Sequence, residues 1–289
     1  MTRLFISSTA NERVKAARRL GRHRRREQLL LVEGHRQVRS ALEAGARVRE
    51  VYASPPLFLG ERDGGLVAHA ERRGARVLEL APAAFRSLSS QVRPDGIAAV
   101  VERPATGLAT LRAPREPLLL VAEAVERPGN LGTIVRTACS AGADALLACD
   151  VPTDPFHPET VRGSVGTIFH LPLAESSTPQ AIDWCAERRL RIVVATPDGE
   201  QPYWSADLRG GVAIVVGSER HGISAAWRAA AQASIAIPLP GAADSLNVAV
   251  AAGIVLFEAA RQRSANICSI INACPPRASS TAKSRAAAP

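Results

Sequence analysis

Three glycine-containing segments of this 289-residue chain carry the side chains best suited to bind or orient a ligand. The first is ERPGNLGTIVRTA, residues 126–138, in which a Pro-Gly turn precedes Asn130 and Arg136 lies six residues further along. Asn130 is a good helix N-cap, and Gly132 lets a second backbone approach closely because it has no Cβ. An ordinary capped helix would show the same pattern, so this segment is informative only together with the other two.

The second segment, VVGSERHGIS at residues 215–224, places four polar residues between two glycines after an apolar run. In order, the loop residues are Gly217, Ser218, Glu219, Arg220, His221 and Gly222. Such a loop either binds a ligand through its backbone amides or simply connects a strand to a helix. His221 by itself is a weak catalytic candidate, because a lone loop histidine is more often solvent-exposed.

The third segment, IPLPGAADSLNVAVAAGIVLFEAAR at residues 237–261, begins with prolines and a glycine that predict an irregular loop. Ser245 is placed to cap the helix that follows, and Asn247 puts an amide in its first turn. The helix is almost wholly apolar through Phe257, which predicts burial in the core or in a subunit interface.

All three segments are predicted to follow a strand and precede a helix, where parallel sheets bind ligands. The familiar nucleotide-binding motifs are absent, since the chain has no Gly-x-Gly tripeptide and no Walker A motif. Cofactors bound through the dinucleotide fingerprint or the glycine loop of the common methyltransferase fold are therefore not expected. Five cysteines with no CxxC pair argue against a disulfide framework and a common zinc site and predict reduced thiols.

Short apolar runs alternate with helical patterns along the chain, which predicts an α/β protein. In the first third, the predicted strands are residues 29–32, 48–53, 77–80 and 97–101, and the predicted helices start near residues 9–11 or cover 35–44 and 66–73. Residues 102–117 contain three prolines and show no period, so we assign residues 107–117 to a linker between two domains.

The second alternating series predicts a parallel sheet covered on both faces, because its strands have no polar alternation. Its predicted strands are residues 118–122, 145–148, 168–171, 192–195, 212–216 and 235–237, and its predicted helices are 130–141, 158–163, 179–188, 224–231 and 245–263. The expected domains are residues 1–106 and 118–264. The low-complexity tail, residues 265–289, is expected to be disordered or derived from cloning.

The charge is concentrated in the first domain. Residues 1–106 hold 20 basic and 11 acidic side chains, whereas residues 107–264 hold 13 and 16. The densest basic run contributes the candidate RNA-binding residues Arg22, Arg24, Arg25 and Arg26. A basic domain beside a mildly acidic one is typical of a nucleic-acid enzyme, although such a run alone is more often a solvated helix end. GC-rich coding explains the preference for arginine over lysine as well as phosphate binding does, but it does not explain the asymmetry.

Aromatic residues make up only 4% of the chain, which disfavours a module that stacks successive bases on exposed rings. Recognition of RNA shape and backbone fits this composition better. A hydrophobic content of 46% with 22% charged residues is typical of a soluble globular protein. The apolar runs are shorter than the roughly 18 residues of a membrane span, and the N-terminus has no apolar signal core, so we expect a cytoplasmic protein with no membrane partner.

Taken together and in this order, GNLGTIVRTA, VVGSERHG and IPLPGAADSLNVAVAAGIVLFEAAR resemble the three motifs of the SpoU branch of the SPOUT RNA 2′-O-ribose methyltransferases. The basic first domain resembles the substrate-binding domain common in that family, which is similar to ribosomal-protein-type RNA binders. The resemblance covers roughly residues 20–264. Among family members, the chain is most similar to bacterial ribosomal RNA enzymes, which include antibiotic self-resistance 23S rRNA methyltransferases.

The resemblance implies an α/β fold whose parallel sheet has a C-terminal trefoil knot, preceded by the smaller RNA-binding domain. It also implies a homodimer, which would give the apolar final helix a surface to pack against. S-adenosylmethionine would bind in the knot, with its adenine contacted by backbone groups near Gly217, Ile237 and Leu246.

The implied reaction is methyl transfer to a ribose 2′-hydroxyl of ribosomal RNA, with no metal. Arg136 matches the family's catalytic arginine, and because a guanidinium stays protonated we expect it to hold the target phosphate and stabilise the alkoxide. Asn130 would orient Arg136 or the ribose, and Glu219 would bond to the Asn130 and Arg136 region. Ser245 and Asn247 would complete the site.

The departures from the family pattern are small: Ala249 and Ala251 replace frequent serine or threonine, and Arg220 and His221 replace smaller residues. Two alternatives remain open, a transfer RNA or base methyltransferase and a non-catalytic RNA-binding ribosome-assembly factor. Retention of the five candidate catalytic residues speaks against the non-catalytic alternative.

Overall fold

The computed structural model describes residues 3–22, 27–242 and 244–264. The first part of the chain contains strands β1 (Leu4–Ile6), β2 (Leu29–Glu33), β3 (Val48–Ala53), β4 (Arg76–Leu80) and β5 (Ile97–Glu102). Its helices are α1 (Glu12–Gly21), α2 (His35–Glu43), α3 (Glu61–Arg72) and α4 (Pro82–Leu88). The five strands form one sheet in the order β1-β4-β3-β5-β2, in which β5 is antiparallel to both of its neighbours.

The four strands and three helices predicted for this region are all present, and two further elements carry weak signals. β1 has three residues, and its Phe5 is 61% exposed, so no apolar alternation marks it. α4 begins with Pro82 at its first position, a helix-start signal that the prediction did not use.

Helix α3 begins at Glu61, five residues before the predicted start. The Asp63 carboxylate accepts hydrogen bonds from the backbone N–H groups of Leu59 (2.7 Å) and Gly60 (3.1 Å). These bonds satisfy donors that a helix start leaves unpaired, so the first turn forms in spite of two consecutive glycines.

The second part of the chain forms a larger sheet. Its strands are β6 (Leu118–Glu123), β7 (Ala145–Cys149), β8 (Leu173–Ser176), β9 (Arg191–Ala195), β10 (Gln201–Pro202), β11 (Val212–Val216) and β12 (Ala233–Ala236). Its helices are α5 (Pro128–Ser140), α6 (Pro158–Gly163), α7 (Thr178–Glu187), α8 (Ala225–Ala230) and α9 (Val248–Arg263). The strand order is β10-β12-β9-β11-β6-β7-β8, and every pairing is parallel.

This sheet confirms the predicted parallel architecture. Every residue of β6, β7 and β11 is buried, as expected for strands covered by helices on both faces. The core therefore lies at the centre of the sheet, and the loops at its carboxyl edge are left to form a site.

The predicted strand at residues 168–171 is wrong. Residues Thr167–Phe169 form a short 3-10 helix, and the strand is β8, which begins at Leu173. Gly166 enters that turn in the left-handed conformation, with φ of +85°. Ile168 and Leu171 are both buried at a spacing of three residues, which a 3-10 turn places on one side.

The proline-rich connection between the two sheets is packed against the second sheet. The backbone N–H of Glu175 in β8 donates to the carbonyl of Thr106 (2.7 Å), and Gly107 forms a parallel bridge with the same residue. Leu111 is buried in the core beneath this edge. Residues 106–111 are therefore part of the folded structure.

None of the helices in the described ranges has both the length and the apolar character that a membrane crossing requires.

Candidate functional site

A cavity of about 270 Å³ lies at the carboxyl edge of the second sheet, where the loops after four strands meet. The strands are β9, β11, β12 and, through the helix it leads to, the segment before α9. The lining residues are Ala195, Thr196, Pro197, Val216, Gly217, Ser218, Glu219, Gly222, Ile223, Ile235, Ile237, Leu239, Ser245, Leu246, Val248 and Ala251. All three residues predicted to contact a cofactor, Gly217, Ile237 and Leu246, are among them.

The loop after β11 closes tightly on itself because of its two glycines. A Cβ on Gly217 would lie 2.2 Å from the carbonyl oxygen of Gly222, a distance that no side chain can occupy. Gly222 has φ of +66°, and its N–H donates to the carbonyl of Ser218 (2.9 Å). Glycine is thus required at both ends of this loop, and the loop presents its backbone to the cavity.

Arg228 in α8 joins two of the loops that line the cavity. Its Nη2 donates to the Thr196 hydroxyl (2.9 Å), its Nη1 contacts Asp198 (3.2 Å), and its Nε donates to the carbonyl of Ile223 (3.4 Å). Bonds from the Thr196 hydroxyl and from Arg228 lower the pKa of the Asp198 carboxyl below its ordinary value. The loops after β9 and β11 are therefore held together from outside the cavity.

Three side chains from the three motif segments form a hydrogen-bonded triangle beside the cavity. Glu219 Oε1 accepts from Asn130 Nδ2 (2.8 Å) and from Asn247 Nδ2 (2.6 Å). Asn247 Nδ2 also donates to Asn130 Oδ1 (3.2 Å). The sequence predicted that Glu219 bonds near Asn130, and the structure adds Asn247 as the third member.

The triangle separates two cavities. Ser218, Glu219 and Val248 line both the cavity described above and a neighbouring one of about 270 Å³. The second cavity is also lined by Arg127 and Arg220, which are exposed, and Arg127 Nε lies 4.0 Å from Glu219 Oε2. One side of the triangle is therefore mainly apolar, and the other is cationic.

The helix positions of the two asparagines differ from the prediction. Asn130 is the third residue of α5, which starts at Pro128, so it does not cap the helix. Asn247 is the N-cap of α9, and its Oδ1 accepts from the N–H of Ala249 (3.0 Å). Ser245 lies two residues before this cap and lines the cavity instead. Proline is favoured at the first helical position, which explains why α5 starts early.

Arg136 is not part of the triangle. It lies six residues beyond Asn130 on α5, about 9 Å along the helix axis at 1.5 Å per residue. Its side chain is exposed, on the face that also presents Gly129 and Thr133. Within the described ranges no hydrogen bond or ion pair of Arg136 is present. One chain therefore brings together Asn130, Glu219 and Asn247 but leaves the predicted catalytic arginine apart.

Gly132 confirms the predicted close backbone approach. A Cβ at this position would lie 2.6 Å from the Thr160 carbonyl oxygen and 3.0 Å from the Gly163 Cα. Helix α6 therefore crosses α5 in backbone contact, which holds the start of α5 and the adjacent Asn130 in place.

The candidate RNA-binding residues are only partly placed. Arg22 is exposed at the C-terminal end of α1. Arg24, Arg25 and Arg26 lie outside the described residues, as does the predicted tail at 265–289.

Several lining residues escaped the sequence analysis. Thr196 and Pro197 follow β9, and Arg127 precedes α5. The usable signal was positional, because ligands bind beyond the carboxyl ends of parallel strands and the loop after β9 is one of them.

The described cysteines are free thiols and lie outside the site. Burial raises the pKa of both the Cys149 and Cys185 thiols to about 12. In the described ranges no group of three or more histidine, cysteine, aspartate or glutamate side chains is arranged to hold a metal ion.

Two family descriptions match the chain along its length. The SpoU rRNA Methylase family matches residues 117–257, and the MRM3-like substrate binding domain matches residues 11–99. The first range contains the cavity and the triangle, and the second contains most of the basic sheet.

Curated relatives are similar over nearly their whole length. The 23S rRNA (guanosine(2553)-2′-O)-methyltransferase RlmP of Bacillus subtilis is 31% identical over 87% of this chain and 97% of its own. The 23S rRNA (uridine(2479)-2′-O)-methyltransferase of Streptomyces viridochromogenes is 32% identical over 81% of this chain and 83% of its own.

Solved structures share the fold. A crystal structure of an RNA 2′-O ribose methyltransferase has a TM-score of 0.79 and 38% identity, covering 90% of this chain and 99% of that one. The SpoU methyltransferase AviRb from Streptomyces viridochromogenes, solved in complex with AdoMet, has a TM-score of 0.76 and 30% identity, covering 87% and 98%.

Proposed function

This chain belongs to the SpoU rRNA methylase family, and we propose that it transfers a methyl group from S-adenosylmethionine to a ribose 2′-hydroxyl of 23S ribosomal RNA. The observation that carries the proposal is the triangle of Asn130, Glu219 and Asn247, which joins all three motif segments between an apolar and a cationic cavity. The two relatives modify a guanosine and a uridine, so they support the 23S molecule but no particular nucleotide.

The first cavity fits S-adenosylmethionine in its chemistry. Ile223, Ile235 and Ile237 give it apolar walls suited to an adenine ring, and Gly217 leaves backbone groups open to bond the ring edge. Bound there, S-adenosylmethionine supplies an electrophilic methyl group. We assign Gly217, Ile237 and Leu246 to cofactor binding, and we place Ser245 at the same cavity.

The second cavity is suited to the RNA. Arg127 and Arg220 are exposed guanidinium groups on its wall, where they would hold the phosphates next to the target ribose. Glu219 fixes the amide groups of Asn130 and Asn247, and an ordered amide beside the ribose aligns the hydroxyl at no further entropic cost. Methyl transfer then forms the bond to O2′, and the hydroxyl proton is released.

Arg136 would complete this site from a second copy of the chain. Its side chain is exposed and has no partner in the described ranges, which suits a residue that acts across an interface. On the adjacent helix α9, Val250 (50% exposed) and Phe257 (54%) lie seven residues apart and form one apolar stripe. We propose a homodimer through this stripe, in which Arg136 stabilises the alkoxide at the partner's cofactor cavity.

We further propose that residues 237–247 are threaded as the trefoil knot of this family. The sheet order places β12 between β10 and β9, and a Cβ on Gly199 would lie 2.2 Å from the Ile235 carbonyl carbon. The chain after β9 thus runs in contact with β12. Tracing residues 195–248 in an experimental density map would test this threading.

The division of labour follows the charge. We propose that residues 1–106 bind RNA through arginines such as Arg22, Arg24, Arg25 and Arg26, and that residues 118–264 carry the chemistry. The linker between them is assigned to residues 107–117. A ribosomal RNA substrate places the protein in the cytoplasm.

Incubation with S-adenosylmethionine labelled in the methyl group and 23S ribosomal RNA tests the activity. Nucleoside analysis should find the label on a ribose, and reverse-transcription stops at low dNTP should map one nucleotide. Label found only on a base would contradict the 2′-O assignment. Label on transfer RNA alone would support the transfer RNA alternative, and no label on any RNA would support the assembly-factor alternative.

The resemblance to antibiotic self-resistance enzymes adds a second candidate role for the same methylation. Expression in a susceptible host, with Arg136→Ala as the inactive control, should then raise resistance to a drug that binds the large ribosomal subunit. Equal sensitivity with both forms would leave a housekeeping role.

A further inference from the structure

The basic sheet and the methyltransferase sheet meet along a continuous apolar interface. Helix α2 packs against the turn at residues 166–169, and α6 packs against β2. Val38 and Leu42 of α2 belong to the same hydrophobic cluster as Val161 and Ile168 of the second part. Domains joined by a chain alone usually move relative to each other, whereas a shared core resists such motion.

Gly166 is the closest point of this interface. A Cβ at this position would lie 2.6 Å from the Ser40 Cβ and 3.0 Å from the Gln37 Cα. Both of those atoms are fixed to the α2 backbone, so they cannot move unless the helix moves. The glycine therefore sets how closely the first sheet's helix approaches the second sheet.

Arg103 makes a second and separate connection. Its backbone N–H donates to the Gln28 carbonyl (2.9 Å) in the first part of the chain. Its Nη2 donates to Asp154 Oδ1 (2.5 Å), and its guanidinium lies 5.0 Å from the centre of the Phe156 ring. The side chains of Arg103 and Asp154 are 10% and 3% exposed, so this pair is held inside the interface.

We infer that Gly166 and Arg103 are positioning residues for the RNA substrate. They fix the orientation of the RNA-binding part relative to the Asn130, Glu219 and Asn247 triangle, so that RNA held by one part presents its ribose to the other. This inference rests on the proposed function. It follows because a displacement of about 1 Å at a reacting group can cost a methyltransferase on the order of 100-fold in rate.

Gly166→Ala tests the inference, with Gly142→Ala as a matched control. Gly142 has φ of +75°, close to the +85° of Gly166, but a Cβ there meets no atom within 4 Å. Both variants therefore carry the same kind of backbone penalty, and only Gly166→Ala pushes on α2. We expect Gly166→Ala to lower kcat/KM for 23S rRNA at least about tenfold below Gly142→Ala.

The affinity for S-adenosylmethionine separates positioning from loss of structure. Titration calorimetry should give the same Kd for wild type, Gly142→Ala and Gly166→Ala, since the cofactor cavity is built entirely from the second part. The loss should fall mainly on kcat, because RNA can still bind to the first part.

Restoring the space should restore the activity. Ser40→Gly removes the Cβ and the hydroxyl that the new alanine would meet at 2.6 Å and 3.0 Å. We expect the Gly166→Ala, Ser40→Gly double variant to recover most of the lost kcat. Arg103→Lys, which keeps the charge but loses the planar fork, should lower kcat in the same direction and by a smaller factor.

The inference is overturned if Gly166→Ala and Arg103→Lys both methylate RNA as fast as Gly142→Ala, or if Ser40→Gly brings no recovery. Failure of the proposed function itself would look different. In that case wild type and Gly142→Ala would also transfer no methyl group to RNA.

Discussion

Asn130 and Arg136 lie on the same helix, six residues apart, in opposite surroundings. The Asn130 amide is bonded on both sides, to Glu219 and to Asn247, beside a formed cavity. Arg136 is exposed and, in the part of the chain that the structure describes, has no partner. The comparison indicates that one chain builds the cofactor side of the site and supplies the catalytic cation to a different place.

Removing the open side should have the largest effect on turnover. Arg136→Ala should lower kcat on the order of 100- to 1,000-fold, the usual cost of losing one group that stabilises an oxyanion. The Kd for S-adenosylmethionine and the unfolding midpoint should not change, because the side chain has no described contact to lose. Single-turnover methylation and calorimetry measure the two quantities. An unchanged kcat would revive the assembly-factor alternative.

Mixing two inactive variants sharpens the comparison further. Gly217→Ala forces a contact of 2.2 Å in the loop after β11 and should abolish cofactor binding, while Gly241→Ala, with no neighbour within 4 Å, should not. If Arg136 acts across a dimer, subunit exchange between Gly217→Ala and Arg136→Ala proteins creates one intact site and restores methylation. If the mixture stays inactive although exchange is complete, Arg136 acts within its own chain.

The apolar stripe on α9 supplies the next prediction. Val250→Glu combined with Phe257→Glu should convert the dimer to a monomer, because two charges would have to be buried in the interface. Sedimentation or light scattering measures the mass, and methylation should fall at least about tenfold as the shared site is lost. Exposed Leu59, far from α9 in the sequence, gives a matched control as Leu59→Glu.

Asn247 tests the enclosed side and should have a smaller effect on stability. Asn247→Ala removes the α9 cap bond to Ala249 and two members' contacts in the triangle. We expect a loss of about 1 kcal/mol in the free energy of unfolding, typical of an N-cap. Asn247→Asp keeps the acceptor for the cap but places a second carboxylate against Glu219. It should therefore be nearly as stable as wild type and still impaired in catalysis.

The smallest effect concerns the clamp behind the cavity. The pKa of Asp198 is lowered in the folded protein, so its carboxylate stabilises the fold above its unfolded pKa of about 3.8 and ceases to do so as the pH falls through the lower folded value. Urea unfolding at pH 6 and pH 3 should show this loss in wild type, and Asp198→Asn should reduce the difference. The carboxylate is exposed, so the effect is small.

The sequence predicted the enclosed side better than the open side. The strands of the second sheet are short apolar runs between turn residues, and their carboxyl ends identify where loops converge. The orientation of the asparagines could not be read in the same way. Pro128 starts α5 two residues before Asn130, and the helix after Asn247 starts later than the apolar pattern suggests.

The strand wrongly predicted at residues 168–171 has the same kind of cause. Ile168 and Leu171 are apolar because they pack beneath a turn that Gly166 initiates, and a sequence pattern does not distinguish a buried turn from a short buried strand. The fit of Gly166 against α2 depends on tertiary contact between residues 126 positions apart, which no local pattern encodes.

The segment that joins the two sheets also affects solubility. A long parallel sheet ends in two edge strands, and an open edge is a template on which further chains can aggregate. At one end of the larger sheet, the backbone of residues 106–107 already pairs with Glu175 of β8. At the other end β10 has only two residues, one of them Pro202, which has no N–H to donate. Both edges are thus closed to strand addition, which lets the protein be concentrated beside its RNA without forming fibres.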